Sequence, residues 1–164
     1  MHIKLSIVYH SVTGNTKRVA GLIEEGAQKV QGVETKVMSI DDCDFDFMKE
    51  SDCIIFGTPT YLGTFSWQMK GFFDKGLKVK LAGKMGAVFA TENFIGGGAD
   101  FALLSLIGHM LVKGMLVFSG GVSEGHPYTH FGAVCIKDGD DNQKERAILF
   151  GERIVNKAAE IYHN

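Results

Sequence analysis

The sequence predicts an α/β fold: a doubly wound, five-stranded parallel sheet of order 2-1-3-4-5 in a three-layer αβα sandwich. Three observations carry this. Short apolar runs alternate with segments of helical periodicity along the whole chain, the pattern of βαβ units. Five such units fit into 164 residues, which suits one domain, 1–164, with a sizeable core. The long loops rich in glycine and hydroxyl groups follow the first, third and fourth strands. In this strand order a ligand sits where the order reverses, beside strands 1 and 3, and the loop after strand 4 is the next neighbour.

Ile3 to Tyr9 is too short for a helix and rich in β-branched and aromatic residues, so it reads as a strand. Val19, Ile23, Ala27 and Val30 then recur at helical spacing, and Gly32 ends that helix. Val33 to Met38 is a second strand. Asp41 to Asp44, with Phe45 and Phe47, is a polar connection with room for one helical turn. Cys53 to Phe56 is a continuous apolar run, expected of a strand buried on both faces. Gly57 to Thr64 reads as a long loop. The following helix has Trp67, Met69, Phe72, Phe73 and Leu77 as its apolar set and Gly76 near its end, and Trp67 is assigned to the core.

Met85 to Thr91 is the fourth strand, and Glu92 to Gly98 the next long loop. Ala99 to Val112 is an apolar helix on which His109 reads as a core or interface residue. Gly114 to Phe118 is the fifth strand. An irregular stretch from Ser119 to Phe131 interrupts it before Gly132 to Ile136 resumes strand character. Asp138 to Asn142 caps a last helix whose apolar face includes Ala147, Ile148, Gly151, Ile154, Val155, Ala158 and Tyr162.

Composition narrows the function. Hydrophobic residues make up 45% and charged residues 22%, with a formal net charge of −2. A nucleic-acid protein would show a basic field. No apolar run approaches the length of a membrane span, and the N-terminus runs straight into a strand pattern without a secretory signal, so a cytoplasmic location is expected. Cys43, Cys53 and Cys135 form no C-x-x-C pair, so neither a zinc site nor a redox dithiol is indicated. His126 and His130 are four apart, but Pro127 opposes the helix that would let them share a metal, and no metal site is expected.

The stretch Ser11-Val12-Thr13-Gly14-Asn15-Thr16 lies between the first strand and the first helix. The first N–H groups of a helix lack internal partners and face the positive end of its dipole. Three hydroxyls and a glycine around them make a phosphate cradle, against the plainer alternative of a hydroxyl-rich helix cap. Several phosphate motifs are excluded. Gly83-Lys84 is followed by Met85, so there is no G-x-x-x-x-G-K-[ST], and no G-x-G-x-x-G follows the first strand. No cysteine precedes an arginine at phosphatase spacing, and the third strand ends in Gly57-Thr58 where a receiver domain would carry an acid.

With those residues in view, the loop resembles the [ST]-x-T-G-N-T phosphate loop of the flavodoxin superfamily. Ile55 to Gly63, followed by Gln68-Met69-Lys70-Gly71-Phe72-Phe73-Asp74, resembles a run found in WrbA-type NAD(P)H:quinone oxidoreductases. The loop after strand 4 reads Thr91-Glu92-Asn93-Phe94, unlike the S-T-G-T of those reductases. The resemblance implies FMN as cofactor, its phosphate held by Ser11 to Thr16. It implies further contacts from Thr58, Pro59, Thr60, Tyr61, Leu62 and Gly63, and from Thr91, Glu92, Asn93, Phe94, Gly96 and Gly97. Tyr61, then Phe94, is the expected ring neighbour. Hydride would enter and leave at the flavin, so no catalytic side chain is named.

Two functions follow from the resemblance. The first is NAD(P)H-dependent two-electron reduction of quinones or similar acceptors, favoured by the Gly57 to Gly63 loop and the near-neutral charge. The alternative is an electron carrier without its own substrate, favoured by the short chain. The partner is accordingly a small-molecule acceptor or a redox protein, and a homodimer or homotetramer is the assembly the resemblance implies.

Overall fold

A computed structural model describes residues 2–75 and 78–163. The sheet is built on β1 (Ile3–Tyr9), β2 (Val33–Ser39), β3 (Cys53–Tyr61) and β5 (Met85–Glu92). Its fifth position holds β6 (Leu116–Val117) and β7 (Ala133–Ile136), which pair in parallel with opposite ends of β5. The long strands run in the order β2-β1-β3-β5, with β6 and β7 outermost, which is the expected 2-1-3-4-5 with its last strand in two pieces. One short strand was not anticipated: β4 (Thr64–Phe65) turns back antiparallel on the end of β3.

Alternation along the strands divides the core. Ile3, Leu5, Ile7 and Tyr9 of β1 point to one face, where they meet α1 (Asn15–Ala27) and α5 (Asp141–Tyr162). Val8, Ile54, Phe56, Val88 and Ala90 line the other face, under α2 (Phe45–Glu50), α3 (Trp67–Asp74) and α4 (Ala99–Val112). The caps are local and readable. Asp44 accepts from Phe47 N–H at 2.9 Å, and Ser66 accepts from Met69 N–H at 3.3 Å. Asp140 and Gln143 form a reciprocal capping box at the start of α5.

The structure corrects two expectations. Gly57 to Thr64 is not a loop: β3 continues to Tyr61, and Leu62-Gly63 form a two-residue turn into β4. Trp67 is not a core residue and is 74% exposed. It lies two positions before Met69, roughly opposite on the helix, and Met69 and Phe73 take the buried stripe. Gly76 and Leu77, assigned above to the end of this helix, lie outside the described residues.

The stretch between β6 and β7 packs as an insertion at the sheet edge. Thr129 Oγ1 donates to Ser119 O at 2.7 Å, and Ser119 Oγ donates to His130 O at 2.9 Å. Arg153 of α5 donates to the carbonyls of Pro127 and His126 at 2.8 and 3.1 Å. His126 and His130 are both exposed, and among the described residues no three of His, Cys, Asp and Glu gather to hold a metal. No described helix is long and apolar enough to cross a membrane.

The α1–α5 crossing tolerates no side chain at its closest point. A Cβ at Gly151 would meet Ile23 O at 1.9 Å, and one at Gly26 would meet Ile148 O at 1.7 Å. Gly21, on the same helix α1, has nothing within 4 Å of that position. Gly151→Ala should therefore destabilise by about 1–3 kcal/mol through overpacking. Gly21→Ala should stabilise by about 0.5–1 kcal/mol through helix propensity. Urea denaturation midpoints moving in the same direction for both would overturn this account of the crossing.

Candidate functional site

The C-terminal ends of β1, β3 and β5 bring three loops to one edge. Ser11, Val12, Thr13, Asn15 and Thr16 face Pro59, Thr60 and Tyr61 and also Thr91, Glu92 and Asn93 across a narrow cleft of about 90 Å³. A wider cleft of about 440 Å³ adjoins it, lined by Thr60 to Gly63, Glu92 to Phe94 and Gly97. That volume falls in the range of small-molecule sites. Most of the sequence-derived candidates therefore meet. Thr58 and Gly96 line neither cleft, and Thr58 is fully buried. Gly14 lines neither cleft and is the N-cap of α1.

The narrow cleft has the donors an anion requires. Gly14 caps α1 with φ 94°, and no side chain caps this helix start. The N–H groups of Asn15, Thr16 and Lys17 have no carbonyl one turn back within the helix. Gly14 N–H donates to Ser11 Oγ at 3.2 Å, which shapes the loop. Thr60 Oγ1 is buried and has no hydrogen-bond partner, an arrangement that costs about 1–3 kcal/mol unless a ligand answers it. The Arg18 guanidinium pairs with Asp138 at 3.4 Å and touches the cradle only through Asn15 Oδ1 at 3.5 Å. The donor set is neutral, and it fits a phosphate-bearing ligand held by backbone and hydroxyl groups.

Three contacts tie the loops together. Thr16 Oγ1 and Thr91 Oγ1 share a buried hydrogen bond of 2.8 Å, linking the first loop to the end of β5. The backbone of Gly98 approaches Gly63 so closely that a Cβ would lie 2.6 Å from Gly63 Cα. Gly98 has φ 100°, so this contact and the backbone turn both require glycine. Glu92 Oε2 accepts from Ala99 N–H at 3.1 Å, so this carboxylate caps α4 from outside the helix.

Sequence reasoning missed His10 and Ser66. His10 is 4% exposed, with Nδ1 3.0 Å from Ser66 Oγ and its ring edge-on to Tyr61. Burial lowers its pKa from the ordinary 6.5, with Asp41 opposing. Ser66 N–H donates to Thr58 Oγ1 at 3.0 Å. The available signal was a histidine ending an apolar strand beside the cradle, together with a serine three residues before Met69. Burial pushes the thiols of Cys43 and Cys135 up to about 11 and that of Cys53 further still.

The rim is apolar. Val12 is 71% exposed, Phe94 65%, Ile95 86%, and Leu62 is completely exposed.

A family model described as Flavodoxin matches residues 7–132. The chain belongs to the flavodoxin family. It is 51% identical over 160 residues to a flavodoxin from Clostridium saccharobutylicum, covering 98% of this chain and 100% of that one. It is 33% identical over 143 residues to an NAD(P)H dehydrogenase (quinone) from Geotalea daltonii, covering 70% of each. Among solved structures, a flavodoxin, WrbA-like protein from Agrobacterium tumefaciens superposes with TM-score 0.80 at 28% identity, covering 96% of this chain and 98% of that one. An archaeal flavodoxin gives TM-score 0.76 at 25% identity over 95% and 99% of the two chains. The flavodoxin family is an FMN-binding one.

The turn at the rim is strained. Leu62 and Gly63 have φ of 48° and 80°, the left-handed pair that a two-residue hairpin needs and that Asn-Gly fills best. A leucine held there costs about 1–2 kcal/mol, and its side chain gains nothing from burial. Leu62→Asn should raise stability by about 1 kcal/mol in a urea melt. A lower midpoint would show that the leucine is not strained.

Proposed function

We propose that this protein is an FMN-binding electron carrier of the cytoplasm that exchanges electrons with redox proteins. The observation that carries this reading is the 51% identity to a protein named flavodoxin, end to end in both chains. Relatives named NAD(P)H dehydrogenase (quinone) match at 33% or lower. The preference therefore moves from the NAD(P)H-dependent reductase expected first to the carrier given as its alternative.

The geometry supports the cofactor half of the reading. The uncapped start of α1, the neutral donors of 11–16 and the unanswered Thr60 hydroxyl suit an FMN phosphate. Thr16 Oγ1 and Thr91 Oγ1 bond each other, and the backbone N–H groups of Asn15, Thr16 and Lys17 with the Thr13 hydroxyl are the donors offered to the anion. Tyr61, Leu62 and Phe94 are the walls offered to a flat ring. FMN, when bound, supplies the redox chemistry; the chain binds it, orients it and tunes its surroundings. The exposed apolar rim of Val12, Leu62, Phe94 and Ile95 suits transient docking of a partner at the cofactor edge.

Purified protein should release FMN on denaturation. Thr13→Val should weaken FMN binding by about 1.5–3 kcal/mol, the worth of a hydrogen bond to a charged group; unchanged affinity in a fluorescence titration removes Thr13 from the phosphate site. Potentiometric titration should resolve two separate one-electron steps. Mixing with NADH or NADPH and a benzoquinone should give no steady nicotinamide oxidation, and sustained turnover would restore the reductase.

A further inference from the structure

His10 occupies a place that packing alone does not explain. It directly follows β1, its N–H donates to Gly57 O at 3.0 Å, and its ring is enclosed at 4% exposure. Apart from a ring edge against Tyr61, its polar side-chain contact is Ser66 Oγ. Ser66 is itself fully buried and is the junction between the β3–β4 hairpin and α3. Its backbone N–H reaches Thr58 Oγ1, and its hydroxyl receives Met69 N–H.

A donor count assigns the protons. Thr58 shares its hydroxyl proton between Pro59 O at 2.9 Å and Ser66 Oγ at 3.4 Å. Ser66 Oγ accepts from both Met69 N–H and Thr58, which fills its acceptor sites and leaves its own proton for His10 Nδ1. His10 is then neutral, with its proton on Nε2. Protonation turns Nδ1 into a donor. Ser66 would then have to take a third incoming hydrogen bond and turn its own proton away from His10, so its present set of partners cannot persist.

We infer that His10 is a positioning residue: through Ser66 it holds the β3–β4 hairpin that carries Tyr61 and the Thr60 hydroxyl, and proton uptake releases that hold. The consequence for FMN rests on the cofactor reading above; the coupling of His10 to the hairpin does not. The groups facing His10 are Ser66 at the start of α3, Tyr61 of the hairpin and Asp41 of the turn after β2. Asp41 carries the opposing charge, and burial outweighs it, lowering the pKa below 6.5. With the folded-state pKa below the unfolded one, the hold is complete above pH 6.5 and is lost as the pH falls through the folded value.

The test is an NMR pH titration of the full chain without FMN, from neutral pH to about 5, beside FMN titrations over the same range. The His10 ring and the amides of Thr60 to Met69 should titrate together, with a midpoint below 6.5. His10→Asn keeps a hydrogen-bonding group beside Ser66 without a titrating charge, and its hairpin amides should stay still. Wild-type FMN affinity should fall roughly three- to tenfold more than that of His10→Asn across this range. The ligand's own phosphate ionisation is common to both proteins. In Ser66→Ala, His10 should still titrate while the hairpin amides no longer follow it. Hairpin amides that ignore His10 in the wild type, or equal pH slopes for wild type and His10→Asn, overturn the inference. Failure of every variant to bind FMN at neutral pH removes the cofactor reading, and the amide titration still decides the role of His10.

Discussion

The arrangement of the site depends on the parallel register of β1, β3 and β5. Tyr9 stands beside Gly57, and Gly57 beside Phe89, so β3 and β5 run on past the end of β1, to Tyr61 and Glu92. A parallel sheet covered on both faces has no freedom to slide, because a one-residue slip would turn every buried side chain to the wrong layer. This stagger lets the hairpin and the loop after β5 stand beyond the end of β1, where they flank the cradle at one edge. Buried contacts then lock them: Thr16 to Thr91, Gly98 against Gly63, and His10 to Ser66. Polar groups that would otherwise be mobile are held before a ligand arrives, and such preorganisation lowers the ordering cost of binding.

The same edge carries the molecule's local sacrifices. The Thr60 hydroxyl is buried without a partner, Leu62 holds a left-handed backbone conformation, and four apolar side chains stand in water. None of these helps the free chain fold. Each is intelligible if a planar, phosphate-bearing ligand fills the clefts and a second protein covers the rim. Away from this edge the rules are kept: side-chain caps on α2 and α5, two well-divided core layers and a fully buried thiol at Cys53. Departures gathered in one place, in an otherwise consistent fold, are what a functional site looks like physically.

Much of this was legible from residues alone. The period-two apolar runs and period-3.6 stripes identified the long strands and helices, and the hydroxyl-rich stretch 11–16 announced an anion seat because it joins a strand to a helix. The hairpin was not legible. Thr58 to Thr64 contains Pro, Gly and polar residues that read as loop, and only pairing with β5 and β4 makes a strand of it. Trp67 misled because aromatic character suggests burial, whereas helix phase sends Met69 and Phe73 inward instead.

By itself, then, the sequence determined the fold class, the order of elements and the first loop of the site, since these follow from local periodicity and short-range chemistry. The tertiary structure alone decided which groups meet across the edge. His10 and Ser66 are 56 residues apart, and Thr16 and Thr91 are 75 apart. No pattern within a window of residues encodes such pairs. They exist because the sheet's register brings distant segments of the chain to the same edge and excludes the water that would otherwise satisfy them.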